Sequence, residues 1–369
     1  MKTSYRALAR KFHTDSATAC ETLMDTESGS DCSSGGMEHT AVVATHRLPC
    51  LHQDSRRLAT NQYEICRLAV FIFLFLFSLS KVTASHFIII DNETGCILRE
   101  QGANDKFPVG SLSKIAVAIT LLDWAKLNGN SLDTVAEVPA PTAPQGEGNP
   151  LGLQAGDRIT LRDLLYLTLL PSDSEASLTI ANYVGLKLPN PQNLDGVSNF
   201  VANMNALARE LGMKNTLFLN SDGLPPTGGG LQPYSTAADL ARLTRYGYSK
   251  PGLAFYVAQK SREIHIQRGN KMLGATINNT NNLLGVNGID GVKTARLASV
   301  GESIVLTSAR DPEVRKEGNT VYTTPRRIIV VLLGASNRAD EGLKLDQQGW
   351  ELYSAWAGRG RPTRSSRFL

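Results

Sequence analysis

The chain is poor in histidine and cysteine, the side chains most often used for metal ligation and nucleophilic catalysis. It has five cysteines and six histidines, and four of each (Cys20, Cys32, Cys50, Cys66; His13, His39, His46, His52) precede residue 84. Beyond that point stand only Cys96, His86 and His265. A disulfide framework, a zinc cluster and a Cys–His protease each need more than this. A Ser–His–Asp triad would have to rest on one of two histidines. Charge of one sign is also missing. The 38 Lys and Arg residues stand against 34 Asp and Glu, which gives no clustered basic footprint for nucleic acid. The apolar run at residues 68–77, behind Arg67, falls well short of the ~20 residues that span a bilayer. The body of the chain is therefore expected to work without metal and without a cofactor.

What is present divides into four stretches. Residues 1–66 mix Ser, Thr, His, Arg and Cys with no sustained period of 2 or 3.6, and no fold is read there. Residues 67–84 fit a secretory signal: a basic flank, a short apolar centre, and Val82-Thr83-Ala84 as small residues for cleavage after Ala84. Because signals sit at chain starts, a start codon set too far upstream is the simplest account of the first stretch. No cysteine follows the apolar run closely enough for a lipid anchor. Residues 85–357 form the body, and residues 358–369 are an arginine-rich tail without an apolar face. The expected product is exported to the periplasm or cell envelope, with no stable membrane anchor once the signal is removed.

The body reads as mixed α and β. Strands are expected at 86–90 and 96–100 around the turn Asp91-Asn-Glu-Thr-Gly95, and a helix at 111–127. In that helix Ile115, Ala118, Ile119 and Leu122 recur at i, i+3, i+4 and i+7, and Asn128-Gly129 stops it. Residues 136–156 are a Pro- and Gly-rich loop. Thr160 caps a helix over 161–170, which Pro171 ends. Further helices are expected at 174–184, 198–211 and 236–248, strands at 261–267, 271–278, 290–295, 300–308 and 326–335, and a closing helix at 338–357. Strands thus open and close the body with helices between them. One α/β (α+β) domain follows, in which an antiparallel sheet of N- and C-terminal strands is interrupted by a helical lobe.

Three short motifs stand out. Ser111-Leu-Ser-Lys114 places a lysine amine one helical turn from a serine hydroxyl. A lysine whose pKa is lowered by burial or a neighbouring cation can serve that serine as base. Pro171-Ser172-Asp173-Ser174-Glu175 lies at a break between two apolar helices, and Asp290-Gly-Val-Lys293-Thr294-Ala295 on a late strand. Taken singly these are a polar helix start, an N-cap cluster and an exposed strand lysine. A second Ser-x-x-Lys, Ser78-Leu-Ser-Lys81, has no helix start around it and shows how little the pattern says alone.

In this order and spacing, the three motifs resemble the layout of the penicillin-recognising serine hydrolases. The flanks resemble the D-alanyl-D-alanine carboxypeptidase family over about residues 85–357. They are Gly156-Asp-Arg-Ile-Thr-Leu-Arg-Asp-Leu-Leu-Tyr166 before Leu170-Pro-Ser172, Glu210-Leu-Gly-Met-Lys-Asn-Thr216, Phe218-Leu-Asn220 with Asp222-Gly-Leu224, Tyr234-Ser-Thr-Ala-Ala-Asp239, and Asn281-Asn-Leu-Leu284 before Gly288. The resemblance implies a β-lactamase/DD-peptidase-like fold and a Ser111 acyl-enzyme on peptidoglycan stem peptides, with β-lactams as covalent inhibitors. It makes Lys114 the base and Ser172 the proton relay to the departing D-Ala. Lys293 and Thr294 would draw in the substrate carboxylate, with Ser174 contacting Lys114 and substrate. The backbone N–H groups of Ser111 and Arg296 would form the oxyanion hole.

Two positions depart from the family pattern. Ser174 stands where an asparagine is usual, and a hydroxyl reaches fewer partners than an amide. Ala295 stands where a glycine is usual, and its methyl is expected to crowd substrate backbone along the strand. These departures open a second reading, a family member that binds peptidoglycan or scaffolds an envelope complex without turnover. A β-lactamase is a third, although no Glu-x-x-Leu-Asn element lies between Ser172 and Lys293.

Overall fold

The computed structural model describes residues 86–369, apart from Glu147, Thr227, Gly228 and Arg364. These residues lie within one compact unit, Lys81–Leu369. The expected extension (1–66) and signal segment (67–84) lie outside the described residues. In chain order the elements are β1 (His86–Asp91), β2 (Ile97–Gln101), β3 (Phe107–Pro108), a 3₁₀ turn (Gly110–Ser113), α1 (Lys114–Asn128), β4 (Val135–Glu137) and β5 (Arg158–Thr160). Next come α2 (Leu161–Leu169), α3 (Ser174–Gly185), α4 (Gly196–Glu210), β6 (Tyr234–Ser235), α5 (Ala237–Tyr248) and α6 (Leu253–Val257). The chain continues through β7 (Ser261–Arg268), β8 (Lys271–Asn278), β9 (Ile289–Leu297), β10 (Gly301–Glu317), β11 (Thr320–Ala335) and α7 (Arg338–Gly358).

Among the described residues the main sheet is antiparallel, in the order β2-β1-β11-β10-β9. Its first and last strands pair, with His86 opposite Leu333 and Asp91 opposite Ile328. The run 328–333 is apolar at every position because both faces of β11 are covered. Alternate side chains feed two cores: Ile328, Val330 and Leu332 pack with Trp350 and Tyr353 of α7, whereas Ile329, Val331 and Leu333 pack with Leu112 and Ile115 of the opposite layer. A second sheet, in the order β4-β5-β7-β8, takes the strands at 261–278 away from the main sheet and into the helical lobe.

The structure differs from the sequence expectation in several places, among them the short elements β3, β5, β6 and α6, which were not expected. Ser111 sits in the 3₁₀ turn, and the α-helix begins at Lys114. That helix is enclosed, with Ala116, Val117 and Leu121 as buried as Ile115 and Ile119, whereas Leu122 is half-exposed. A three-residue strand, β4, begins the stretch read as a loop. Strands β10 and β11 run on past residue 308 as an exposed two-stranded ribbon turning at Gly318, where both faces are exposed and no apolar pattern marks a strand. The arginine-rich tail, for which no structure was expected, is seated. Ile97 N–H donates to the Arg367 carbonyl at 2.7 Å, Phe368 bridges to Cys96, and Arg367 pairs with Glu100 at 2.8 Å.

Candidate active site

Three segments converge on one open cleft of about 630 Å³. The 3₁₀ turn supplies Ser111 and the break between α2 and α3 supplies Ser172 and Ser174. The edge strand β9 supplies Thr294, Ala295 and Arg296. Neither His86 nor His265 lines this cleft.

The break is made by local chemistry. Thr160 Oγ1 accepts the Asp163 N–H at 3.0 Å and starts α2, and Leu170 ends it before Pro171. Ser172 then takes a left-handed backbone, φ 70°, and Asp173 starts α3 by accepting the Ala176 N–H at 2.9 Å. On the other wall, the loop through Gly223 closes against the nucleophile turn. A Cβ there would stand 1.9 Å from the Gly110 carbonyl oxygen and 2.5 Å from Ser113 Oγ, so only glycine permits the approach.

Lys114 is 1% exposed and lies at the centre of the site. Its Nζ donates to Ser111 Oγ at 3.3 Å, to Ser174 Oγ at 3.1 Å and to the Ser172 carbonyl at 3.0 Å. Burial lowers its pKa to about 8, against the opposing pull of Asp222 and Asp173. Ser172 Oγ itself is buried with no hydrogen-bond partner. Ser174, the residue in the asparagine position, thus holds the lysine, and Ser172 reaches it through backbone.

Lys293 is buried as well, 1% exposed, and its Nζ donates to the Thr294 carbonyl at 3.2 Å. Burial, the charge of Lys114 and the charge of Arg338 all push its pKa well below the ordinary lysine value. Thr280 Oγ1 donates to the Leu170 carbonyl at 3.1 Å, so Thr294 Oγ1 is the donor in their 2.7 Å contact. Arg296 is exposed, on the strand that ends the sheet, opposite Glu302. Ala295 lines the cleft, is 5% exposed and belongs to the apolar cluster of Val109 and Leu112.

Sequence reasoning did not reach Thr280, Glu302 or Arg338. Arg338 lines the cleft, pairs with Glu302 at 3.1 Å and is 22% exposed. It enters the site from the first turn of α7, far along the chain from the three motifs, so no local pattern marks it. Its only signal is a cation directly after the Asn337 cap.

With this geometry in hand, the chain can be compared with known proteins. A family profile described as D-alanyl-D-alanine carboxypeptidase matches residues 76–317. The D-alanyl-D-alanine endopeptidase of Pseudomonas aeruginosa is 31% identical over 198 residues, 53% of this chain and 57% of that protein, so the chain spans little more than half of it. The D-alanyl-D-alanine carboxypeptidase of a Streptomyces species is 28% identical over 266 residues, 71% of this chain and 86% of that protein. Among solved structures, penicillin-binding protein D2 of Listeria monocytogenes in its ampicillin-bound form is similar with a TM-score of 0.55 at 25% identity, covering 72% of this chain and 95% of that one. Profile, relatives and fold agree with the three motifs that line the cleft: the chain belongs to the D-alanyl-D-alanine carboxypeptidase family of serine peptidases.

Proposed function

We propose that the chain is an exported serine D,D-carboxypeptidase that removes the terminal D-Ala from peptidoglycan stem peptides through a Ser111 acyl-enzyme. One observation carries this reading: a single buried Lys114 amine within hydrogen-bond reach of both Ser111 Oγ and Ser174 Oγ. In its neutral form Lys114 takes the Ser111 proton as Oγ bonds to the carbonyl carbon of the penultimate D-Ala. The backbone N–H groups of Ser111 and Arg296 receive the oxyanion; first-turn N–H groups have no partner within their helix. When the C–N bond breaks, the proton passes from Lys114 to the D-Ala amine. Ser172 Oγ, unpartnered at rest and at the cleft, is placed to relay it. Water then attacks the ester, gives one proton to Lys114, and releases the shortened peptide as Ser111 recovers its hydrogen.

The leaving D-Ala carries a carboxylate. Thr294 Oγ–H can turn from Thr280 to donate to it, and Arg338 supplies a fixed charge beside Lys293. A β-lactam presents the same acyl group and would leave Ser111 acylated, and the ampicillin-bound Listeria relative supports that expectation. Export rests on the signal-like segment ending at Ala84, and the expected mature chain begins at Ser85 in the periplasm or envelope. Among the described residues no helix is long and apolar enough to cross a membrane.

Incubation with a fluorescent penicillin and with a pentapeptide substrate tests the reading. The expected result is a covalent adduct on Ser111 and release of D-Ala, both abolished by Ser111→Ala. Stem-peptide binding with neither adduct nor turnover would establish the scaffold reading instead. Cleavage of a cross-linked dimer without D-Ala release would make the enzyme an endopeptidase, and rapid cephalosporin hydrolysis a β-lactamase. Mass spectrometry of the exported protein locates its first residue.

A further inference from the structure

Ala295 stands between Thr294 and Arg296 on β9, at the margin of the cleft where the strand meets the turn that carries the nucleophile. Gly110, the residue before Ser111, is buried and has φ 51°, a backbone that favours glycine. Its bare side gives onto β9. A Cβ there would lie 3.2 Å from Leu297 Cγ and 3.5 Å from the Ala295 methyl carbon. Ala295 and Leu297 therefore fill the space that Gly110 leaves, and Ala295 joins Val109 and Leu112, which flank Ser111 along the turn, in one buried cluster. This seam lies between the two backbone segments that hold the oxyanion donors, Ser111 N–H on the turn and Arg296 N–H on the strand.

We infer that the Ala295 methyl, seated with Leu297 against Gly110, is a positioning group that sets the spacing between the two oxyanion donors of this site. The inference rests on the serine-peptidase reading above and reverses the expectation that the methyl hinders substrate. Preorganised donors stabilise an oxyanion only when their separation is held before the charge develops. A glycine at 295 would leave a methyl-sized gap in the seam and let the turn and strand drift. The seam borders the cleft at Ala295 and Leu297 but is aligned between the donor-bearing segments, so the chemical step is expected to fall more than initial binding.

The test measures penicillin acylation of the whole protein at a series of drug concentrations, which separates the dissociation constant from the acylation rate constant. Ala295→Gly is expected to lower the acylation rate constant by about tenfold, a fraction of the loss when a whole donor is removed, with the dissociation constant within about twofold. Ala295→Ser keeps an atom in the seam and is expected to recover most of the rate that Ala295→Gly loses. Leu297→Ala opens the same seam from its other side and is expected to slow acylation more than it weakens binding. An Ala295→Gly variant that acylates as fast as the wild type, or faster, overturns the inference and restores the crowding account. Loss of drug binding together with rate overturns it too. A wild type that never acylates overturns the serine-peptidase reading and this inference with it, so the two failures are told apart by the unmutated protein.

Discussion

Lys114 joins a base's task to a buried amine, and its titration should govern the rate. Only the neutral amine accepts the Ser111 proton, and burial brings its pKa to about 8. Below that value the working form falls tenfold for each pH unit, and above it the form saturates. The acylation rate measured from about pH 6 to about pH 10 is therefore expected to rise along a single limb and level off near 8. A limb centred near the free-lysine value would mean that Lys114 is not the base. At this scale the site was half legible in the sequence. Ser111 and Lys114 are three residues apart on one turn, so local spacing reveals them. Lys293, by contrast, looks like an exposed strand lysine until β9 is placed against the nucleophile turn, where it is 1% exposed. Arg338 and Thr280 are absent from any motif because only tertiary packing brings them to the cleft.

Among the elements, α3 bears the clearest cost. Its cap, Asp173, is fully buried; one oxygen accepts the Ala176 N–H, and the other has no partner. Burial, the largest cause, raises its pKa to about 6, and the nearby Lys114 charge offsets part of this. The folded carboxyl therefore binds its proton more tightly than the unfolded one. Asp173 costs no charge burial below its unfolded value near pH 4, and the cost grows as pH rises through about 6. Asparagine caps equally well and does not titrate. The stability of Asp173→Asn relative to wild type is expected to improve by up to about 3 kcal/mol between pH 4 and pH 8. Denaturant unfolding at the two pH values measures it, and any constant cost of packing the amide cancels in the difference. A pH-independent difference would show that folding leaves the Asp173 pKa unshifted. Caps such as Thr160 and the 3.6-residue period made α2, α3 and α5 readable in the sequence within a residue or two of their ends. The ribbon at 309–326 was not readable, because neither of its faces is buried and no alternation marks it.

At the scale of the whole molecule, the tail closes an edge that the main sheet would otherwise leave open. Strand β2 is the last strand beside β1, and residues 367–369 lie along its start. The Leu369 N–H donates to the Gly95 carbonyl at 3.1 Å, and Arg361 pairs with Glu313 of the ribbon at 2.8 Å. Composition marked the tail only as arginine-rich and without an apolar face; its arginines find carboxylates on two separate elements, and its last two residues are apolar. The strand pairing also covers Cys96, which is 2% exposed and whose thiol is pushed above its ordinary pKa, chiefly by burial. A thiol in that state is slow to react, since the thiolate is the nucleophile. Deleting residues 359–369 should therefore open the β2 edge and expose Cys96 while leaving the cleft intact, because no tail residue lines it. Alkylation of the native protein, read at the Cys96 peptide by mass spectrometry, is expected to be slow in the full chain and at least about tenfold faster in the truncated one. Ser111 acylation should proceed at the same rate in both. Equal Cys96 labelling would mean the tail does not hold the edge in solution, and a loss of acylation would mean its influence extends across the sheet to the active site.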